Sequence, residues 1–329
     1  MRRIEIWLLI AVVLLVAGWG LVWWLISEHV EGVVGEALAA SAEEDVALAC
    51  EERGQGGFPF RFETVCSGAT ARAADGAWRA RLERFSAGAV VHRPRHIEAI
   101  LTGPMQVEAV ALDGPATIRW ASARALIVAG ADGPQRLLVR LFNASGEAPE
   151  AQFMSHQARL DVAPDAAGGS RLAYSVELLR LAVRGQALPP LDLTAEARTP
   201  IPAEALLAGD VDLSDGLSLS DIAVSLEAGQ VEAFAEGAIE VGPDGVASGS
   251  VTLSLVGVER LPALLEALPE NVRSAANVAA GAVIALAAPA EWQGRPARRI
   301  VLTIEEGEVR AGPLSLGRLP PLWEPPASS

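Results

Sequence analysis

A mainly β fold with minor α is predicted from three observations. Apolar and polar residues alternate with a period of two over many short segments, the pattern of half-buried strands. Clusters of Gly, Pro and Asp separate those segments, mostly about 10–20 residues apart, which suits an antiparallel meander better than βαβ units. Helical spacing is confined to short stretches and to one apolar run at the N-terminus.

That run, Trp7–Ile26 (WLLIAVVLLVAGWGLVWWLI), is 20 residues without a charge. At ~1.5 Å per residue it covers a ~30 Å hydrocarbon core. Trp7 at one end and Trp23 and Trp24 at the other suit the two interfacial belts, and Arg2 and Arg3 before the span put the N-terminus in the cytoplasm. The run exceeds the apolar region of a cleaved signal peptide, and the small-residue sites near Ala37–Ala42 lie far beyond it. Residues 1–26 are therefore read as a transmembrane signal anchor. Residues 27–49, with mixed Ala, Glu and Val over Glu31–Leu48, are read as a helical stalk. The remaining chain is expected to lie outside the inner membrane.

Charge excludes some partners for that outer part. The 329 residues carry a net charge of −15, and all 26 basic residues are arginines, which we attribute to codon usage. Without residues 1–26 there remain 24 basic and 40 acidic residues, a net of −16. An acidic body repels phosphate backbones and anionic headgroups, which argues against nucleic-acid binding and against peripheral attachment through a basic surface.

The outer part begins with CEERGQGGFPFRFETVC, Cys50 to Cys66. These are the only cysteines, and the oxidising side of the membrane is where a disulfide persists, so a Cys50–Cys66 bridge is expected; two buried free thiols are the alternative. Phe58, Phe60 and Phe62 alternate with Pro59, Arg61 and Glu63 and are expected on the core face of a first strand. Trp78, Ala80 and Leu82 continue the alternation, followed by segments near residues 97–111, 116–129, 135–142, 152–162 and 171–181. A soft boundary near residue 200 divides a first β subdomain, 50–199, from a second, 200–329.

The second subdomain centres on Phe234–Glu270. Gly242-Pro243-Asp244-Gly245 supplies turn chemistry between two alternating segments, the second presenting Val251, Leu253 and Leu255 on one face. Leu261, Leu264, Leu265 and Leu268 then recur at helical spacing, a short helix expected to cover a sheet face or end. Ser274–Ala290 is uncharged and Ala-rich, and is read as a partly buried helix rather than a second span.

Chemistry-bearing motifs are sparse. His92 and His96 flank Arg93, Pro94 and Arg95; the arginines disfavour a bound cation, and the segment is read as an exposed basic connection. No G-x-S-x-G, H-E-x-x-H, Cys-x-x-Cys or P-loop occurs. No catalytic residue, metal ligand or cofactor is expected.

Taken together, the N-terminal anchor, GFPFRFETVC at Gly57–Cys66, the hairpin around Pro243-Asp244-Gly245 and the closing IEEGEVRAGPLSLGRLPPL resemble family 2125 of the domains of unknown function. That resemblance implies an anchored envelope protein of bacteria with two membranes. The hairpin and following Leu-rich helix are more loosely similar to AsmA-like and TamB-like envelope proteins. This second likeness implies a long, curved, largely antiparallel sheet with short covering helices, whose concave apolar face accommodates lipid chains. The candidate apolar face is Phe58, Phe60, Phe62, Trp78, Leu82, Val251, Leu253 and Leu255. The expected function is lipid binding or handling by a periplasmic protein held in the inner membrane. The alternative is an interaction module recruiting envelope proteins, with an enzyme ranking last.

Overall fold

The computed structural model describes residues 46–323, apart from 111, 113, 132, 184, 267 and 269 and the side chains of 271, 272, 275, 279 and 282. The anchor and the stalk up to residue 45 lie outside the described residues. Among the described residues no helix is long and apolar enough to cross a membrane. The chain divides into two compact units that meet in sequence between Arg119 and Trp120.

The first unit is an antiparallel meander of β1 (Val46–Gly56), β2 (Arg61–Ala73), β3 (Trp78–Val90), β4 (Arg93–Ala109) and β5 (Ala116–Arg119). Two expectations are corrected here. Val46–Ala49, read as the end of a helical stalk, are strand, because β1 finds a full-length partner in β2 that a local helical pattern cannot compete with. Phe58 and Phe60 lie not on a strand but in the β1–β2 turn, where Arg61 N–H donates to the Gly57 carbonyl at 2.8 Å. They are 53% and 69% exposed, because the chain must reverse at Gly57 to pair β2 with β1. Phe62 alone of the three is in a strand, half-buried opposite Ala89.

Gly68 interrupts the alternation inside β2. Its φ of +64° is left-handed, so Cys66 and Ala69 line the same pocket although three residues apart. A side chain in this region costs about 1–2 kcal/mol, partly offset by a stiffer unfolded chain. Gly68→Ala is therefore expected to lower stability by roughly 1 kcal/mol; an unchanged urea midpoint would contradict this assignment.

The second unit comprises β6 (Ser122–Ala129), β7 (Pro134–Ala148), β8 (Ala151–Pro164), β9 (Ser170–Val183), β10 (Gln186–Ala187), β11 (Leu191–Thr199), β12 (Leu217–Ala228), β13 (Val231–Val241), β14 (Ala247–Val256), β15 (Ala288–Trp292), β16 (Arg295–Glu305), β17 (Glu308–Ala311) and β18 (Leu314–Arg318). Its helices are α1 (Ala203–Ala208), α2 (Leu261–Glu266) and α3 (Glu270–Leu286). Antiparallel pairing runs β6-β7-β8-β9-β11-β12-β13-β14-β16. β15 and β17 share the far edge of β16, and β18 pairs with β17. β11 and β12 flank the boundary read at residue 200 and pair with each other, with one register shift.

The hairpin at the centre of this unit forms as its turn chemistry predicts. Val241 pairs with Ala247, Gly242 N–H donates to the Val246 carbonyl at 2.9 Å, and Gly245 takes φ +77°. Between β14 and β15 the chain makes a 3-10 turn, Val258–Arg260, then α2 and α3. α2 has no buried residue and packs on α3. It is α3 that reaches the sheet: Val283 packs on a cluster of Ala287, Ile300 and Ala311 with Leu253 and Leu302. A second cluster, Val241, Ala247 and Ile304, is packed by Trp323, whose indole N–H donates to the Pro243 carbonyl at 3.3 Å.

Candidate functional site

Register turns the period-2 alternation of the second unit into two contrasting faces. Directly opposed residues share a face, so Val139, Leu160, Tyr174, Ala195, Val224, Ala235, Leu253 and Ile300 form one unbroken apolar row across eight strands. Parallel rows reinforce it, with Leu137, Val162 and Leu172 on one side and Leu141, Ala158, Val176, Leu193 and Leu226 on the other. At ~4.8 Å per strand spacing the main row spans ~34 Å.

The opposite face carries Arg140, Arg159, Ser175, Thr194, Ser225, Phe234, Ser254 and Arg299 in the corresponding row. A trough of about 470 Å³ runs along it, ending at Trp292, which stacks on Phe234 with ring centroids 4.5 Å apart. Asp161 sits in this face with its side chain 1% exposed, accepting hydrogen bonds from Arg136 Nη2 at 2.9 Å and Arg159 Nη2 at 2.8 Å. Burial alone would raise its pKa; the hydrogen bonds and charges of Arg136 and Arg159 outweigh that and hold the carboxyl below the usual aspartate range. These groups satisfy one another, and among the described residues no set of three or more His, Cys, Asp and Glu is placed to hold a metal.

Coverage of the apolar row is uneven. Leu253 and Ile300 lie under α3, and Trp323 packs over the end formed by Val241, Ala247 and Ile304. Toward the other end, Leu160 and Tyr174 remain 37% and 41% exposed although both are flanked by strands on either side. A contiguous aliphatic surface left partly open is the kind of feature that marks a site for an apolar ligand or partner.

The first unit holds a second apolar surface. Leu48, Cys66, Ala71, Leu82, Phe85 and Met105 line a pocket of about 330 Å³ in the sheet of β1–β4, with Arg53 and Thr64 nearest the β1–β2 turn. That size is within the range of small-ligand sites. Cys50 and Cys66 are joined as a disulfide in its wall, with Cα atoms 5.7 Å apart.

Of the eight residues expected on the apolar face, Leu82 lines this pocket, and Phe62 and Trp78 are half-buried in β2 and β3. Val251, Leu253 and Leu255 share one face of β14, and Phe58 and Phe60 belong to the turn. The residues that leave the row open, Leu160 and Tyr174, are not among those eight. Their alternation, Ala158-Leu160-Val162 and Leu172-Tyr174-Val176, is a local sequence pattern, whereas the strands they face depend on register.

These surfaces define an antiparallel β protein whose sheet in the second unit has one aliphatic and one polar face. Residues 23–320 match the family described as an uncharacterised protein conserved in bacteria (DUF2125), and the chain belongs to that family. No curated protein and no solved structure matches it.

Proposed function

We propose that the protein binds lipid acyl chains along the apolar row of the second unit, and that Trp7–Ile26 holds it in the inner membrane with its body in the periplasm. The observation that carries the reading is the continuous row from Val139 to Ile300, open at Leu160 and Tyr174 and backed by a polar face. A bilayer core of ~30 Å contains two acyl chains end to end, so the part of the row outside α3, from Val139 to Ala235 and ~24 Å long, is long enough for one chain. Each methylene removed from water contributes ~0.8 kcal/mol, and ten of them give roughly 8 kcal/mol before the cost of ordering the chain. The Cys50–Cys66 disulfide suits an oxidising compartment.

Photo-cross-linking in intact cells, with the full chain and a phospholipid carrying a photoactivatable acyl chain, tests the lipid reading. Adducts are expected within 137–141, 158–162 and 172–176. Leu160→Asp with Tyr174→Asp should remove them, while Ser175→Asp on the polar face should not. Adducts confined to Trp7–Ile26, or unaffected by the paired substitution, would defeat the lipid reading and return the row to a protein partner.

A further inference from the structure

We propose that one end of the first unit, formed by the β1–β2 and β3–β4 turns, docks on an anionic lipid bilayer. The inference goes beyond acyl-chain binding in the second unit and rests on different residues. At this end the β1–β2 turn projects Phe58 and Phe60, 53% and 69% exposed. Val91 N–H donates to the Phe60 carbonyl at 3.0 Å, which ties the neighbouring turn beside them. That turn is built to expose cations. Ala89 pairs with Ile97 and Val90 with Arg93, so Pro94, Arg95 and His96 have no counterpart in β3 and are extruded from the ladder. His92, Arg93, Arg95 and His96 are all exposed, and among the described residues no carboxylate pairs with Arg93 or Arg95.

The charge here opposes that of the chain as a whole. Between Arg84 and Ile97 the sequence has no acid, in a protein of net charge −15. The nearby carboxylates, Glu63 and Glu98, face Arg61 at 3.7 and 3.4 Å. Two protruding phenyl rings beside two arginines match a headgroup boundary, where rings enter the apolar layer and guanidinium groups bind phosphate oxygens. The two short turns, residues 57–60 and 91–96, offer about ten residues where a stable protein interface uses ~20–30 a side, whereas a bilayer yields around protruding side chains. The point also leads to the pocket. Arg53 and Thr64, at the near end of its lining, are four residues from Gly57 and Phe60, about 13 Å along the strands.

The test uses full-length protein in phosphatidylcholine nanodiscs, which occupy the N-terminal run, floated with vesicles of phosphatidylcholine alone or mixed with phosphatidylglycerol. Binding to the mixed vesicles is expected, with little to phosphatidylcholine alone. Arg93→Gln with Arg95→Gln should weaken it roughly 25-fold, about fivefold per arginine, and Phe58→Ser with Phe60→Ser should weaken it at least tenfold. An intact Cys50–Cys66 bridge and wild-type amide protection of β1 and β2 verify each variant's fold. If the phenylalanine variant fails that check, the arginine pair, on exposed sites, decides alone. Equal binding to both vesicle types, or wild-type binding by a correctly folded variant, overturns the proposal. So does self-association without vesicles that these substitutions abolish, or capture of an acidic polypeptide in place of the vesicles; these assign the tip to a second copy or to a protein.

Discussion

Cys50→Ser with Cys66→Ser is expected to destabilise the first unit by about 3 kcal/mol, the chain-entropy value for a closed loop of about 15 residues. The bridge joins positions 16 apart in sequence across β1 and β2, and both cysteines line the apolar pocket. The ladder with β2 and the bridge together hold the outer edge of this sheet, since β1 has no second strand partner among the described residues. The loss should therefore appear locally. Amide exchange in β1 and β2 should accelerate by about two orders of magnitude, while the second unit, described by its own contacts, keeps its protection. Equal protection in the reduced and oxidised chains would refute the bridge as a structural element of this unit. Acceleration spread evenly over both units would refute its local action.

Asp161→Ala is expected to cost about 2 kcal/mol. Removing one partner of a fully buried pair costs ~3–5 kcal/mol, but here only the carboxylate is buried; Arg136 and Arg159 are about 40% exposed and can be rehydrated when it is lost. The pH dependence carries the sign. The folded carboxyl titrates below the unfolded value of about 3.9, so its stabilisation is complete above that value and disappears as pH falls through the lower folded one. The difference in urea midpoint between wild type and Asp161→Asn should be level from neutral pH to about pH 5 and shrink below about pH 4. A difference that persists unchanged into strong acid would show that the pair contributes through packing rather than charge.

The legible and the hidden parts of the site separate along one physical line. Turn chemistry at Gly242–Gly245 and the alternation around Leu253 are local, and both appear where the residues dictate. Phe58 and Phe60 show how far local pattern reaches. Their alternation with Pro59 and Arg61 suits a strand, yet pairing of β1 with β2 needs a reversal at Gly57, and the turn takes them. The spacing of the Leu-rich segment suits a helix over a sheet face or end; α2 packs on α3, and the longer α3, through Val283, makes the cover.

Sequence by itself determined the β class, the hairpin, the disulfide pair and membership of the family, because each depends on residue types within a short span or on their order along the chain. Only the tertiary structure decided which apolar stripes align. A shift of one residue in any register would send that strand's apolar set to the other face, so the row from Val139 to Ile300 exists through seven consecutive pairings. It also decided that α3 and Trp323 cover part of this face and leave Leu160 and Tyr174 open, since burial follows from packing between distant segments rather than from the hydrophobicity of the residues themselves.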